Sequence, residues 1–139
     1  MAFLDLRTSQ GPKIGPVSTL AATPDYIAGI GLAVGSAANI RVDLEASVGV
    51  TSIVNNTLVI SVVRHTNPGD LGNFASGTVV YSQGFGIPTF MTATTFSLSA
   101  ADLPSTPASG QLNYALYASA TLAGTSYQGT QNLIGTAAN

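Results

Sequence analysis

The chain has no cysteine and no tryptophan among its 139 residues. Without cysteine there is neither a disulfide framework nor a thiolate metal site, and the redox compartment leaves no mark on the sequence. Charge is scarce as well. Charged side chains make up 7% of the residues, four basic and six acidic, against roughly 25% in an ordinary soluble domain. By surface scaling a monomer of this mass exposes about 6,700 Å², or about one charge per 670 Å². Uncharged Ser, Thr, Asn, Gln, Gly and Ala must cover the remainder, and a near-neutral surface favours association. A net charge of -2 offers no footprint for nucleic acid, which needs clustered Lys and Arg. Long apolar runs are missing too: Gly, Ser, Thr or Asn breaks each one well short of a span, so no membrane segment is expected. The opening MAFLDLRTSQGPK makes a poor secretory signal, because Asp5 and Arg7 interrupt its apolar stretch and no basic region precedes it. If the protein is exported, it is expected to leave without a cleaved leader.

What the chain does have is alternation. Residues 1–22 hold Gly11-Pro12 and Gly15-Pro16 around isolated apolar residues and read as an extended arm. From Tyr26 onward the period is two, and residues 23–139 read as one domain. Strands are expected at Tyr26–Val34, Asn39–Val50, Leu58–Arg64, Thr78–Ser82, Thr92–Leu98, Gln111–Leu122 and Tyr127–Ala137, separated by turn-rich spacers such as NPGDLGN and PSTPASG. Helix signals are nearly absent; SAADLP at Ser99–Pro104 offers one capped turn at most. The expectation is an all-β, antiparallel jelly-roll sandwich with an extended N-terminal arm.

Chemistry is hard to find. His65, the only histidine, follows a strand and precedes a turn, and reads as an exposed strand end without a catalytic partner. Asp43 and Glu45 stand two apart on one strand face. Paired carboxylates can do acid–base work or hold calcium, but Arg41 shares the face, so a solvated or inter-subunit pairing is favoured. Asn55-Asn56-Thr57 fits the glycosylation pattern and equally a hairpin tip, and Asn67–Asp70 reads as turn chemistry. Tyr81, Phe96, Tyr114 and Tyr117 read as core or inter-subunit contacts. No phosphate loop, nucleophile elbow or metal-helix motif is present. The expected protein is not an enzyme, and no cofactor or metal is expected.

The segments RVDLEASVGV, LVISVVRHT, TVVYSQGF, SAADLPSTPASGQLNYALYASATL and NLIGTA resemble small jelly rolls of Firmicute spore surfaces. These are the tumour-necrosis-factor/C1q-like heads of collagen-like exosporium glycoproteins and the subunits of endospore appendage fibres. The likeness runs from Asn39 to Ala137 and is carried by strand patterns together with Arg41, Glu45, Arg64, Tyr114 and the Pro104–Gly110 loop. It implies an extracellular, non-enzymatic building block of the spore surface. Such a block forms homo-oligomers, trimers or a helical fibre, and meets other spore-surface proteins. This chain departs from those families in having no Gly-X-Y tract and none of the cysteines that cross-link some appendage subunits.

The arm then acquires a role. It is expected to dock on a neighbouring jelly roll, adding a strand to a sheet edge or filling an apolar groove, with Phe3, Leu4, Leu6, Ile14 and Val17 as anchors. Arg41, Asp43 and Glu45 are expected at the same inter-subunit contacts. The competing readings are a viral or phage capsid or receptor-binding jelly roll, and a carbohydrate- or calcium-binding module.

Overall fold

The computed structural model describes residues 2–10 and 19–139. Its strands in chain order are β1 (Phe3–Gln10), β2 (Asp25–Ala33), β3 (Arg41–Ser52), β4 (Asn56–His65), β5 (Thr78–Ile87), β6 (Met91–Asp102), β7 (Gln111–Ala120), β8 (Thr125–Tyr127) and β9 (Asn132–Ala138). They form two antiparallel sheets. Sheet A has the order β1-β9-β3-β6, with β8 on the end of β3, and sheet B the order β2-β7-β4-β5. The chain crosses between the sheets repeatedly, which makes the domain a jelly-roll sandwich. Among the described residues, the regular structure other than strand is two 3₁₀ turns, Pro68–Asp70 and Phe74–Ser76.

Alternation explains the layering. In β3, Val42, Leu44, Ala46, Val48 and Val50 point inward and are buried. They face Ile30, Leu32, Leu58, Ile60, Val62, Leu112 and Leu116 of sheet B within one core. Each large aliphatic side chain buried in this way contributes about 1.5–3 kcal/mol. The core closes around Gly135 on β9, where a Cβ would lie 2.5 Å from the Ile30 Cδ1 atom. A missing side chain there makes room for the isoleucine opposite.

The structure differs from the sequence reading in several places; the strand expected at Tyr127–Ala137 is split into β8 and β9, and β5 runs on past Ser82 to Ile87. Residues 3–10, read as part of an arm, are extended and lie on β9 of the same chain as the edge strand of sheet A. Ser99–Asp102, read as a possible turn, continues β6 because each of these residues pairs with β3 between Val42 and Glu45. The segment before Asn56 is no hairpin tip, since β3 and β4 belong to different sheets and the chain crosses the sandwich there.

Candidate assembly surface

The outward face of sheet A gathers most of the residues singled out in the sequence. Antiparallel registers place paired residues on the same face. Phe3 lies opposite Ala138, which lies opposite Arg41; the next row runs Leu6, Thr136, Asp43 and Ala101. The row after that runs Thr8, Ile134, Glu45 and Ser99. Phe3, Leu6, Arg41, Asp43 and Glu45 therefore share one face, from two strands separated by β9. Leu4 turns toward the core instead, while Ile14 and Val17 lie outside the described residues. The Arg41 Nε donates to the Asp43 Oδ1 at 3.0 Å with both side chains solvated, a geometry worth little to stability. Beside it Glu45, Ser47, Ser97, Ser99, Asn132 and Ile134 line a shallow depression of about 390 Å³. Small uncharged side chains thus surround the three charged ones, with an apolar border at Phe3 and Leu6.

The N-terminal strand is tied down at its start. The Asp5 carboxylate accepts hydrogen bonds from the Ala33 and Leu6 backbone N–H groups, each at 2.9 Å, and from the Arg7 Nε at 3.1 Å. The Ala33 bond, foremost among these, holds the Asp5 carboxyl below the usual carboxylate range. Ala33 ends β2, so this one side chain links sheet A to sheet B.

A second link went unread in the sequence. Arg64 and Tyr114, on sheet B, point between the sheets toward Asp102, the last residue of β6 in sheet A. The Asp102 Oδ2 accepts from the Arg64 Nη1 at 2.5 Å and from the Tyr114 hydroxyl at 2.8 Å. Burial and then the neighbouring carboxylate push the Tyr114 hydroxyl far up from its ordinary range. Burial is the largest single influence and works against the Arg64 charge, but the bond to Asp102, the attraction of its charge and the nearby Tyr114 together outweigh it, and the net shift is upward. A matching contact, from the Tyr127 hydroxyl to the Asp25 Oδ2 at 2.9 Å, lies toward the other end of the sandwich.

His65 ends β4 as expected but is buried, not exposed. The loop after β4 folds back over the outer face of sheet B, where Leu71 and Phe74 pack with Tyr26 against Val63, Ala115 and Tyr117. The Tyr117 hydroxyl donates to the Leu71 carbonyl. Burial, with Tyr26 nearby, leaves that hydroxyl pushed up to about 12. Under the same strap the His65 Nδ1 lies 3.4 Å from the Ser76 hydroxyl, and its Nε2 is buried without a hydrogen-bond partner. Burial lowers the His65 pKa, with Asp70 opposing in part. In the sequon, Asn55 is exposed. Asn56 is buried as a bracket: its amide donates to the Leu122 carbonyl and the Thr125 hydroxyl, both at 2.8 Å. Among the described residues no three His, Cys, Asp or Glu side chains gather as metal ligands would, and no helix is long and apolar enough to cross a membrane.

No family model matches the sequence, and no curated protein is significantly similar to it. Solved structures do match the fold. A chain of the T13 viral particle of infectious bursal disease virus aligns with a TM-score of 0.55 and 12% identity over 95% of this chain. This chain spans 30% of that one. The Eiger TNF of S. frugiperda aligns with a TM-score of 0.50 and 10% identity, covering 100% of this chain and 94% of that one. Murine APRIL aligns with a TM-score of 0.48 and 13% identity, over 96% of this chain and 100% of that one. At these identities the likeness is one of fold.

Proposed function

We propose that this protein is a non-enzymatic structural subunit that assembles with copies of itself into a fibre or layer on the outside of a bacterial spore. The observation that carries the reading is the outward face of sheet A. It brings Phe3 and Leu6 beside Arg41, Asp43 and Glu45 on a surface otherwise tiled by small uncharged residues. Such a face is cheap to desolvate and suits a flat partner of the same kind. Its sparse charges would fix register across the contact and add little affinity. The spore surface enters through the sequence resemblance; the fold likeness to a viral-particle protein and to a TNF is consistent with a structural or binding module and no more specific.

The N-terminal strand supplies the mechanism. As the edge strand of sheet A, β1 holds β9 through main-chain pairing from Phe3 to Gln10. The same pairing made with β9 of a neighbour would link two copies by strand addition, with the apolar residues setting register. Removing residues 1–15 tests this. Loss of filaments or high-mass oligomers in electron micrographs and sedimentation is the expected result; assembly as ready as that of the full chain would overturn the mechanism. Closed shells in place of filaments would favour the viral reading instead.

A further inference from the structure

The loop between β4 and β5 lies on sheet B with few ties to it. The backbone bonds within residues 66–77 are local: the Asp70, Asn73, Ser76 and Gly77 N–H groups donate to the Asn67, Asp70, Asn73 and Phe74 carbonyls. The Asn67 and Asn73 side chains cap the two 3₁₀ turns. At the root of the loop the Asn113 amide reaches the His65 and Thr66 carbonyls at 3.4 and 3.5 Å. Beyond the root, among the described residues, two hydrogen bonds fasten the loop to the sheet beneath. One runs from the Tyr117 hydroxyl to the Leu71 carbonyl, the other between His65 and Ser76. A segment with local bonds and few anchors opens more readily than the sheet it covers.

The anchor at His65 has a defined protonation. The Ser76 hydroxyl donates its one proton to the Asn73 carbonyl at 2.9 Å. Toward the His65 Nδ1, 3.4 Å away, it can therefore only accept. The neutral ring carries its hydrogen on Nδ1, and Nε2 is a bare lone pair. That atom is buried and has no hydrogen-bond partner. A second proton has nowhere else to go, and it would turn Nε2 into a buried charged donor with no acceptor beside it, a costly state. Nor is there slack toward the loop: a Cβ on Gly77 would lie 2.8 Å from the His65 Cε1 atom.

The surroundings do not supply a counter-charge at the ring. Asp70, within the loop, is the charged group whose attraction reaches His65, and it offsets only part of the effect of burial. Tyr117 on β7 and Tyr26 on β2 have their hydroxyls pushed upward by burial and stay neutral in acid. Arg64 on β4 and Tyr114 on β7 face into the sandwich, where Asp102 accepts from both. β5 carries no charged side chain, and its tyrosine, Tyr81, is neutral in acid. Between pH 7.5 and 5 the imidazole is the group here that changes charge.

We propose that residues 66–77 form an acid-released strap: protonation of His65 at Nε2 lifts them from sheet B and uncovers Val63, Ala115 and Tyr117. In the closed form these three side chains are buried beneath Leu71 and Phe74. On opening, the imidazolium reaches water, the Ser76 contact is given up, and the outer face of sheet B presents an apolar patch. The switch is a property of the single chain and does not depend on the assembly reading.

The chain has no cysteine, so Ala115→Cys places a single thiol under the strap, and Ala46→Cys places one in the core between the sheets as a reference. Labelling with dithiodipyridine is timed at pH 7.5 and 5, each rate being divided by that of the same variant unfolded at the same pH. Opening can grow by at most about tenfold per pH unit below the ordinary histidine value of about 6.5. The Ala115→Cys thiol is expected to label at least threefold faster at pH 5, and the Ala46→Cys thiol to keep its rate. Adding His65→Gln to Ala115→Cys is expected to abolish the rise. Hydrogen exchange on the unsubstituted chain should show residues 66–77 losing protection over the same range while β3 and β9 keep theirs, and it decides alone if Ala115→Cys does not fold. An unchanged Ala115→Cys rate, or protection retained in the strap, overturns the inference. So does an equal rise at Ala46→Cys, which would mean that the whole domain loosens. A rise that survives His65→Gln overturns it too, because the sensor would then lie elsewhere.

Discussion

Replacing Asp102 by Ala should cost more stability than any other single charge change. Its carboxylate accepts from both Arg64 and Tyr114, and it joins the last residue of β6 to sheet B. Each hydrogen bond to a charged group is worth about 1.5–3 kcal/mol when buried. Removing one partner of a buried pair costs about 3–5 kcal/mol because the other charge is stranded. The Arg64 side chain retains 29% exposure, so water would recover part of its loss, whereas the buried Tyr114 hydroxyl would find no substitute acceptor. A net loss of about 2–3 kcal/mol follows. For a chain of this length the unfolding entropy is about 0.3 kcal/mol/K, so the melting temperature should fall by about 7–10 °C. Circular dichroism on monomeric protein measures it. Tyr114→Phe, which leaves the ion pair, should lose about half as much, and the Arg64→Met/Asp102→Leu pair should lose less than Asp102→Ala alone. An Asp102→Ala melting temperature within a degree of the parent, or fully additive effects of the Arg64 and Asp102 changes, would refute the account.

Two further changes probe other parts of the fold. Gly49→Ala should destabilise by several kcal/mol or block folding, because its Cβ would lie 2.1 Å from the Gln128 backbone oxygen, which cannot rotate away; a variant that melts with the parent would show that the segment yields. His65 has its pKa lowered by burial, so the unfolded chain binds its proton more readily than the folded one. Its contribution is complete above the unfolded value of about 6.5 and is lost as the pH falls below that value toward the lowered folded pKa. The melting temperature should drop on acidification from pH 7.5 to 5, and His65→Gln should flatten that dependence; an unchanged slope in the variant would place the acid sensitivity elsewhere.

The strands legible in the sequence are those buried on one face, such as β3, whose alternation has no other physical explanation. β1 was not legible because an edge strand buries little: Phe3, Leu4 and Leu6 do not alternate, and the Gly-Pro pairs that follow dominate the local signal. The end of β6 was missed because Ser, Ala and Asp have low strand propensity and only their partners on β3 hold them extended. The shared face of Arg41, Asp43 and Glu45 followed from period two alone. That Phe3 and Leu6 join this face depends on the register through β9, a pairing distant in sequence. Asp102 depends on a contact with Arg64 38 residues away across the sandwich, and the burial of His65 on how the following loop folds back, bringing Ser76 to its ring.

That strap bears on how many neighbours one copy could have in the proposed assembly. By laying Leu71 and Phe74 over Tyr117, the loop after β4 covers Val63, Ala115 and Tyr117 on the outer face of sheet B, while the outer face of sheet A has no such cover among the described residues. A sandwich open on both flanks would have two lateral valences and would stack into crystals or plates. In the proposed assembly sheet A is then the face left for a flank contact, and any second contact falls to the sheet edges, where β1 and β9 pair.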